Sequence, residues 1–308
     1  MNSQTEVPTT GLTGRPAADA MGQSLPGDRK VTIEVIAPGA AERNPGKYVA
    51  RRRLVERVLA WTVPAVLLGA WQVSAMMDMI DVRFFPAPTT IVASSIDLIE
   101  SGRLQDEIWR STKRIMIGFF LGVLSGVTAG LLLGVFRTLR AALEPTLMAL
   151  YTVPKLALLP LLLLIFGLGD TPKVIVVSIT VFFFMWINVM ESIISTPKGY
   201  VEAMQSFDAN RWTMFRYVYL PHSLPNIFVS MRLCAGIAIL VMVGIEFVQG
   251  GDGIGFLIWN SWSLFIAKQM YVGIVTVALM GLVFSIIVKA IGRRVVPWAP
   301  NDKTHGLA

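Results

Sequence analysis

The pattern of apolar and polar positions divides the chain into long apolar runs with short charged punctuation. Six runs reach the ~20 residues that carry a helix across ~30 Å of hydrocarbon: about 57 to 77, 115 to 136, 143 to 168, 173 to 194, 224 to 248 and 270 to 291. The ~10-residue alternating segments of an outer-membrane barrel are missing. The pattern predicts an all-α integral membrane bundle of about six transmembrane helices.

Local signals refine these runs. Gly118, Gly122, Gly126, Gly130 and Gly134 recur every four residues, which predicts one smooth face on the second helix packed closely on a neighbour. Pro154 and Pro160 predict a kinked third helix, tolerated where neighbours satisfy the freed carbonyls. Between the first two spans, "FFPAPTT" (Phe84 to Thr90) reads as an extended turn leading into an amphipathic surface helix over 91 to 99. "GGDGIGFLIWNSWSLF" (Gly250 to Phe265) is too short to span and reads as a re-entrant or interfacial helix. Trp259 and Trp262 on it are expected near the headgroups.

Residues 1 to 46 are rich in Pro, Gly, Ser, Thr and Ala and read as a disordered arm, followed by a membrane domain over 47 to 297 and a polar tail over 298 to 308. The first apolar run lies far from Met1 and lacks a small-residue cleavage site, so it reads as an uncleaved anchor.

Composition agrees with this pattern. Of 308 residues, 54% are hydrophobic and 15% charged, against the ~25% charged of a soluble domain. The net charge of +7 would suggest nucleic acid in a soluble protein, but here the cations flank apolar runs and report orientation. Arg51, Arg52, Arg53 and Arg57, then Arg137 and Arg140, then Lys198, Arg211 and Arg216, then Arg293 and Arg294 all fall on one side. The positive-inside rule makes that side cytoplasmic, with both termini on it. The stretch from Asp78 to Arg114 works against the assignment, because it carries Arg83, Arg103, Arg110, Lys113 and Arg114 on the other side.

Candidate chemistry is sparse. His222 and His305 are the only histidines and Cys234 the only cysteine, so metal clusters, disulfides and Ser/His/Asp triads lack parts. No GxxxxGK[ST] loop is present, and "LSGVT" (Leu124 to Thr128) lies inside an apolar helix. No cofactor is implied. Glu191 and Lys289 sit near helix ends, where they can snorkel. Arg232 and Glu246 lie deeper in the fifth span, 14 residues or about 21 Å apart, and cannot pair with each other. Each is expected to point into the protein, as a structural ion pair or polar contact or as lining of a pathway.

One polar, aromatic stretch interrupts the apolar pattern at 195 to 223, on the side assigned as cytoplasmic. Ser195, Thr196 and Pro197 read as a capped helix start, with a short helix through Gln205. Asp208 is expected to turn the chain and cap a second helix from Ala209 to about Tyr219. Trp212, Phe215 and Tyr219 would form one aromatic face, and Leu220-Pro221 would stop the helix. Amphipathicity alone fits either a segment lying on the membrane or one presented to a soluble partner.

Residue order favours the partner. Glu202-Ala203-Met204, three residues, Asp208, nine residues, then Val218-Tyr219-Leu220-Pro221 resembles the EAA loop, EAA-x3-G-x9-I-x-LP, of binding-protein-dependent ABC importer permeases. "FFPAP", Ser101 to Phe119, and Arg232 to Ile258 resemble the nitrate/sulfonate/taurine/bicarbonate branch of these permeases. Met204 replaces the motif's second Ala and Asp208 its Gly. Asp tolerates the left-handed geometry that Gly supplies there.

The resemblance, over about residues 57 to 297, implies a type I permease fold in a bacterial cytoplasmic membrane. It implies ABC ATPase subunits docked on Glu202, Ala203, Asp208, Trp212, Phe215, Tyr219, Leu220 and Pro221, and a second permease subunit, identical or different. It also implies a periplasmic or lipid-anchored solute-binding protein, and a small anion as solute. A polytopic membrane enzyme and an ATP-independent channel are the alternatives from other classes. The near absence of histidine disfavours the enzyme.

Overall fold

The computed structural model describes residues 45–298, with side chains from Leu54 onward. The expected arm lies outside the described residues except for 45 and 46, and the tail except for Trp298. The chain divides into two compact units at Trp61, the second running from Thr62.

Five helices are long and apolar enough to cross a membrane, or six spans if one sharply bent pair counts as a span. In chain order the elements are α1 (Pro45–Met76), α2 (Pro88–Glu100), α3 (Arg103–Val135), α4 (Arg137–Thr152), a 3-10 turn (Lys155–Leu158), α5 (Leu159–Phe166) and α6 (Asp170–Ile194). They continue with α7 (Lys198–Ser206), α8 (Arg211–Met214), a π-helical turn (Phe215–Tyr219), α9 (Leu220–Gln249), α10 (Ile254–Ser263) and α11 (Ala267–Val295).

α6 is the centre. Val176, Val177, Val181, Met185, Trp186, Val189 and Met190 on it are fully buried. α3 lies directly against it through the glycine stripe. A Cβ on Gly122 would sit 2.6 Å from the Ser178 carbonyl oxygen, and one on Gly130 would sit 2.7 Å from Val189 Cβ. The α6 atoms facing the stripe belong to Val177, Val181, Met185, Val189 and Ile193, again every four residues, so two matching ridges mesh along the pair. Apolar driving force between helices is weak in lipid, and this close approach supplies dispersion contact in its place.

The third span is a break, not the expected kink. α4 and the 3-10/α5 segment meet at 85°. Val153 is extended and Pro154 has ψ 113°, so neither continues the helix, and Pro160 restarts it in the first turn of α5. Around α5, Leu161, Leu164, Ile165 and Leu168 are exposed.

α2 forms as expected from Pro88, and buries Ile91, Ser94 and Leu98. Ile91 and Leu98 pack with Leu104, Ile254, Leu257, Ile258 and Val272 in a second core. α10 is therefore half-buried protein structure, with Trp259 and Trp262 exposed and tilted against each other at 4.8 Å between centroids. α3 begins at Arg103, about three turns before the apolar run at 115. That extension carries Ser111 and Arg114 into the bundle.

Candidate functional site

The bundle has two polar ends. At one, where α3, α6 and α9 meet α10, opposite charges are matched, and Arg114, Lys173 and Glu246 among them are buried. Arg114, 3% exposed on α3, holds Asp170 at the start of α6 at 2.6 Å and Asp252 in the α9–α10 turn at 2.7 Å. It also reaches Glu246 on α9 at 3.3 Å. Lys173, equally buried, lies 3.4 Å from Asp252, and Arg110 lies 3.0 Å from it. Three cations thus face three carboxylates.

Glu246 is fully buried, and its remaining acceptor capacity is taken up by the Ser111 hydroxyl at 2.7 Å and the Gly255 N–H at 2.8 Å. The Ile254 N–H donates to Ser111 Oγ at 2.9 Å and the Gly253 N–H to Glu107 at 2.5 Å. The first N–H groups of α10, which no helical carbonyl can accept, are thereby satisfied by side chains of α3 and α9. Gly253 has φ 101°, and a Cβ there would lie 2.2 Å from Glu246 Oε1, so only glycine fits. Burial alone would raise the Asp252 carboxyl. The Arg114 hydrogen bond and the charges of Arg114 and Lys173 outweigh burial and hold it below the ordinary carboxylate range.

Of the charged groups in this network the sequence singled out only Glu246 as a candidate site residue. Arg114 entered as a charge counted for orientation, and Ser111, Asp170, Lys173 and Asp252 passed unremarked. The signal was present as three cations and two carboxylates bordering apolar runs, but the ion-pair partners are 56 to 142 residues apart.

At the opposite end the 195–221 segment is built from local signals. α7 starts after Pro197 with no side-chain cap, so the expected hydroxyl cap does not form. Thr196 instead is buried. Asp208 has φ 51°, the left-handed turn expected for the motif's glycine position. The cap of the next helix is Asn210, not Asp208: its Oδ1 accepts from the Thr213 N–H at 2.8 Å. A residue held in the left-handed region cannot also adopt the extended backbone of a cap.

Leu220-Pro221 does not end the helix. The Leu220 N–H bonds Phe215 O through a π turn, and the helical path continues from Arg211 into α9 with Pro221 in its first turn. The wider turn accommodates a residue that lacks an N–H. It also rotates Tyr219 away from the aromatic face. Trp212 and Phe215 pack at 5.6 Å, while Tyr219 lines a separate cleft of 860 Å³ with Arg137, Leu139, Gln205, Arg211 and Met214.

Glu202 and Ala203 are exposed on α7. Phe207 is 82% and Trp212 65% exposed, and Tyr200 and Tyr217 are also bare. Met214 and Val218 anchor the segment by burial. Arg232 also departs from expectation. It is exposed, and its Nε donates to Ser285 Oγ at 2.9 Å. Among the described residues no three His, Cys, Asp or Glu side chains are grouped to hold a metal ion.

Comparison with known proteins shows the family to which the chain belongs. Residues 119–297 match the family described as binding-protein-dependent transport system inner membrane component. The chain is 30% identical over 236 residues to the putative aliphatic sulfonates transport permease protein of Bacillus subtilis (strain 168), covering 77% of this chain and 86% of that protein. It is also 30% identical over 281 residues to the nitrate import permease protein of Leptolyngbya laminosa, covering 87% and 99%. In fold it is similar to a chain in the crystal structure of a bacterial ABC transporter that imports the acidic polysaccharide alginate, with TM-score 0.54 at 15% identity, covering 83% of this chain and 97% of that one. The chain belongs to the binding-protein-dependent transport system inner membrane component family, the permease subunits of ATP-binding-cassette importers.

Proposed function

We propose that residues 195–221 are the point at which ATPase subunits drive this permease. They would lie on the cytoplasmic side, with both termini there and the Arg114 network facing outward. The observation that carries this reading is the left-handed Asp208 at the glycine position of an EAA-like loop, flanked by exposed Glu202, Phe207 and Trp212. Large bare aromatics beside a capped turn are the anchors that a partner's groove takes up.

In this mechanism α7 and α8 move with the ATPases. Because the helical path from Arg211 into α9 is unbroken, that motion passes into a membrane-spanning helix without a flexible joint. The partner's differential affinity for the two states supplies the energy. At the opposite end the paired charges hold α3, α6, α9 and α10 as one piece. A second permease subunit, identical or different, would complete the pathway, and a solute-binding protein would deliver a small anion of the nitrate, sulfonate or taurine type. The sulfonate and nitrate permeases among its relatives support that solute class.

The test is co-expression with an ABC ATPase encoded beside the gene. Wild-type chain is expected to capture the ATPase and to give solute-stimulated hydrolysis. Glu202→Arg and Phe215→Asp are expected to lose both at normal membrane levels. Unchanged capture in both variants would show that docking lies elsewhere.

A further inference from the structure

Arg232 is a charge that the bundle leaves without an opposite charge deep in a span. It lies 12 residues, about 18 Å, from the start of α9 and 17 residues, about 26 Å, from its end. Its contact is neutral, the Ser285 hydroxyl on α11 at 2.9 Å. Ser285 sits 8 residues, about 12 Å, deeper than Arg293, so the bond holds the guanidinium away from the nearby headgroup level. Among the described residues no carboxylate pairs with Arg232, whereas Arg110, Arg114 and Lys173 all have one.

A bare guanidinium facing acyl chains is costly, so this face is better suited to water than to lipid. The surroundings fit an open wall. Gly236, one turn along α9, has nothing within 4 Å of a built Cβ, and Val229 and Leu233 are exposed. With Nε on Ser285, the two terminal NH2 groups of Arg232 remain as a planar donor fork. The Ser285 oxygen accepts from Arg232, which leaves its O–H free to donate. Such a fork matches two oxygens of a small oxyanion better than any cation or neutral solute.

We infer that Arg232 and Ser285 form an oxyanion-recognition element on the wall of the translocation pathway, taking solutes of the nitrate or sulfonate class. This rests on the reading of the chain as one wall of that pathway. Ser285 positions the fork and adds a donor, and Gly236 leaves the space in which the anion sits.

The single cysteine makes the test direct. In a Cys234→Ala background, Ser285→Cys places one thiol at the element of the assembled, reconstituted transporter. Its modification rates are measured with a sulfonate-bearing and a trimethylammonium-bearing methanethiosulfonate, each relative to a free thiol. The ratio of the two cancels any effect of Arg232 on thiol ionisation. The anionic reagent is expected to be favoured on the order of tenfold or more. Arg232→Gln in the same background is expected to return the ratio to that of the free thiol. If neither charged reagent reacts, or if the preference survives Arg232→Gln, the inference is overturned. Gly236→Cys gives the same comparison should the Ser285→Cys chain fail to fold. ATPase capture is measured on the same samples, so failure of the permease reading is distinguishable from failure of this one.

Discussion

The two ends of the bundle solve the problem of polar groups in opposite ways. At the α10 end, Arg114, Asp170, Lys173, Glu246 and Asp252 satisfy one another, and Glu246 retains no exposure. At the 195–221 end, Glu202, Arg211 and Arg216 have no ion-pair partner within the described chain, and Phe207 and Trp212 stand bare. Polar groups reciprocated within one chain fix its geometry. Unreciprocated ones beside exposed aromatics are complementary to something outside it.

Substitutions should therefore separate stability from assembly. The largest stability loss is expected from Arg114→Leu, which strands Glu246 as a buried charge at a cost of about 3–5 kcal/mol. Thermal unfolding of the purified chain in detergent measures it. Next is Gly122→Val on the stripe, where a Cβ would meet the Ser178 carbonyl at 2.6 Å. Overpacking there should cost about 1–3 kcal/mol and push α3 away from α6. At the other end Glu202→Arg should change the melting temperature little, within about 0.5 kcal/mol, because its side chain is exposed. Its effect should fall on ATPase capture. The smallest change is expected for Asp208→Gly. Glycine relieves a left-handed strain of about 1 kcal/mol and gives back about 0.5–1 kcal/mol as unfolded-state entropy. Both the melting temperature and uptake should stay near wild type.

Legibility in the sequence followed the range of the interaction. The glycine stripe, the start of α2 at Pro88 and the turn at Asp208 depend on a few neighbouring residues, and the sequence carries them openly. The bend at Pro154 was visible but its 85° was not, because the angle also depends on Val153 leaving the helix. Pro221 was misread as a stop. A proline's effect depends on the hydrogen-bond register it meets, and the π turn before it changes that register. Trp212, Phe215 and Tyr219 fell on one face only under a 3.6-residue period, which the same turn breaks. The Arg114 network lay furthest from view, since every ion pair in it joins residues at least 56 positions apart in sequence. Arg232 was expected to point inward, and only the position of α11 beside it shows that its head stays exposed.

The central claim is that the 195–221 end, and not the Arg114 end, meets the ATPase. Site-directed crosslinking tests it most directly. In the Cys234→Ala background, Ala203→Cys and Asp106→Cys place single exposed thiols at opposite ends of the bundle. With the assembled transporter and a short thiol crosslinker, the account predicts a permease–ATPase product from Cys at 203 and none from Cys at 106. A product from position 106, or none from position 203 while the ATPase still co-purifies, would contradict it.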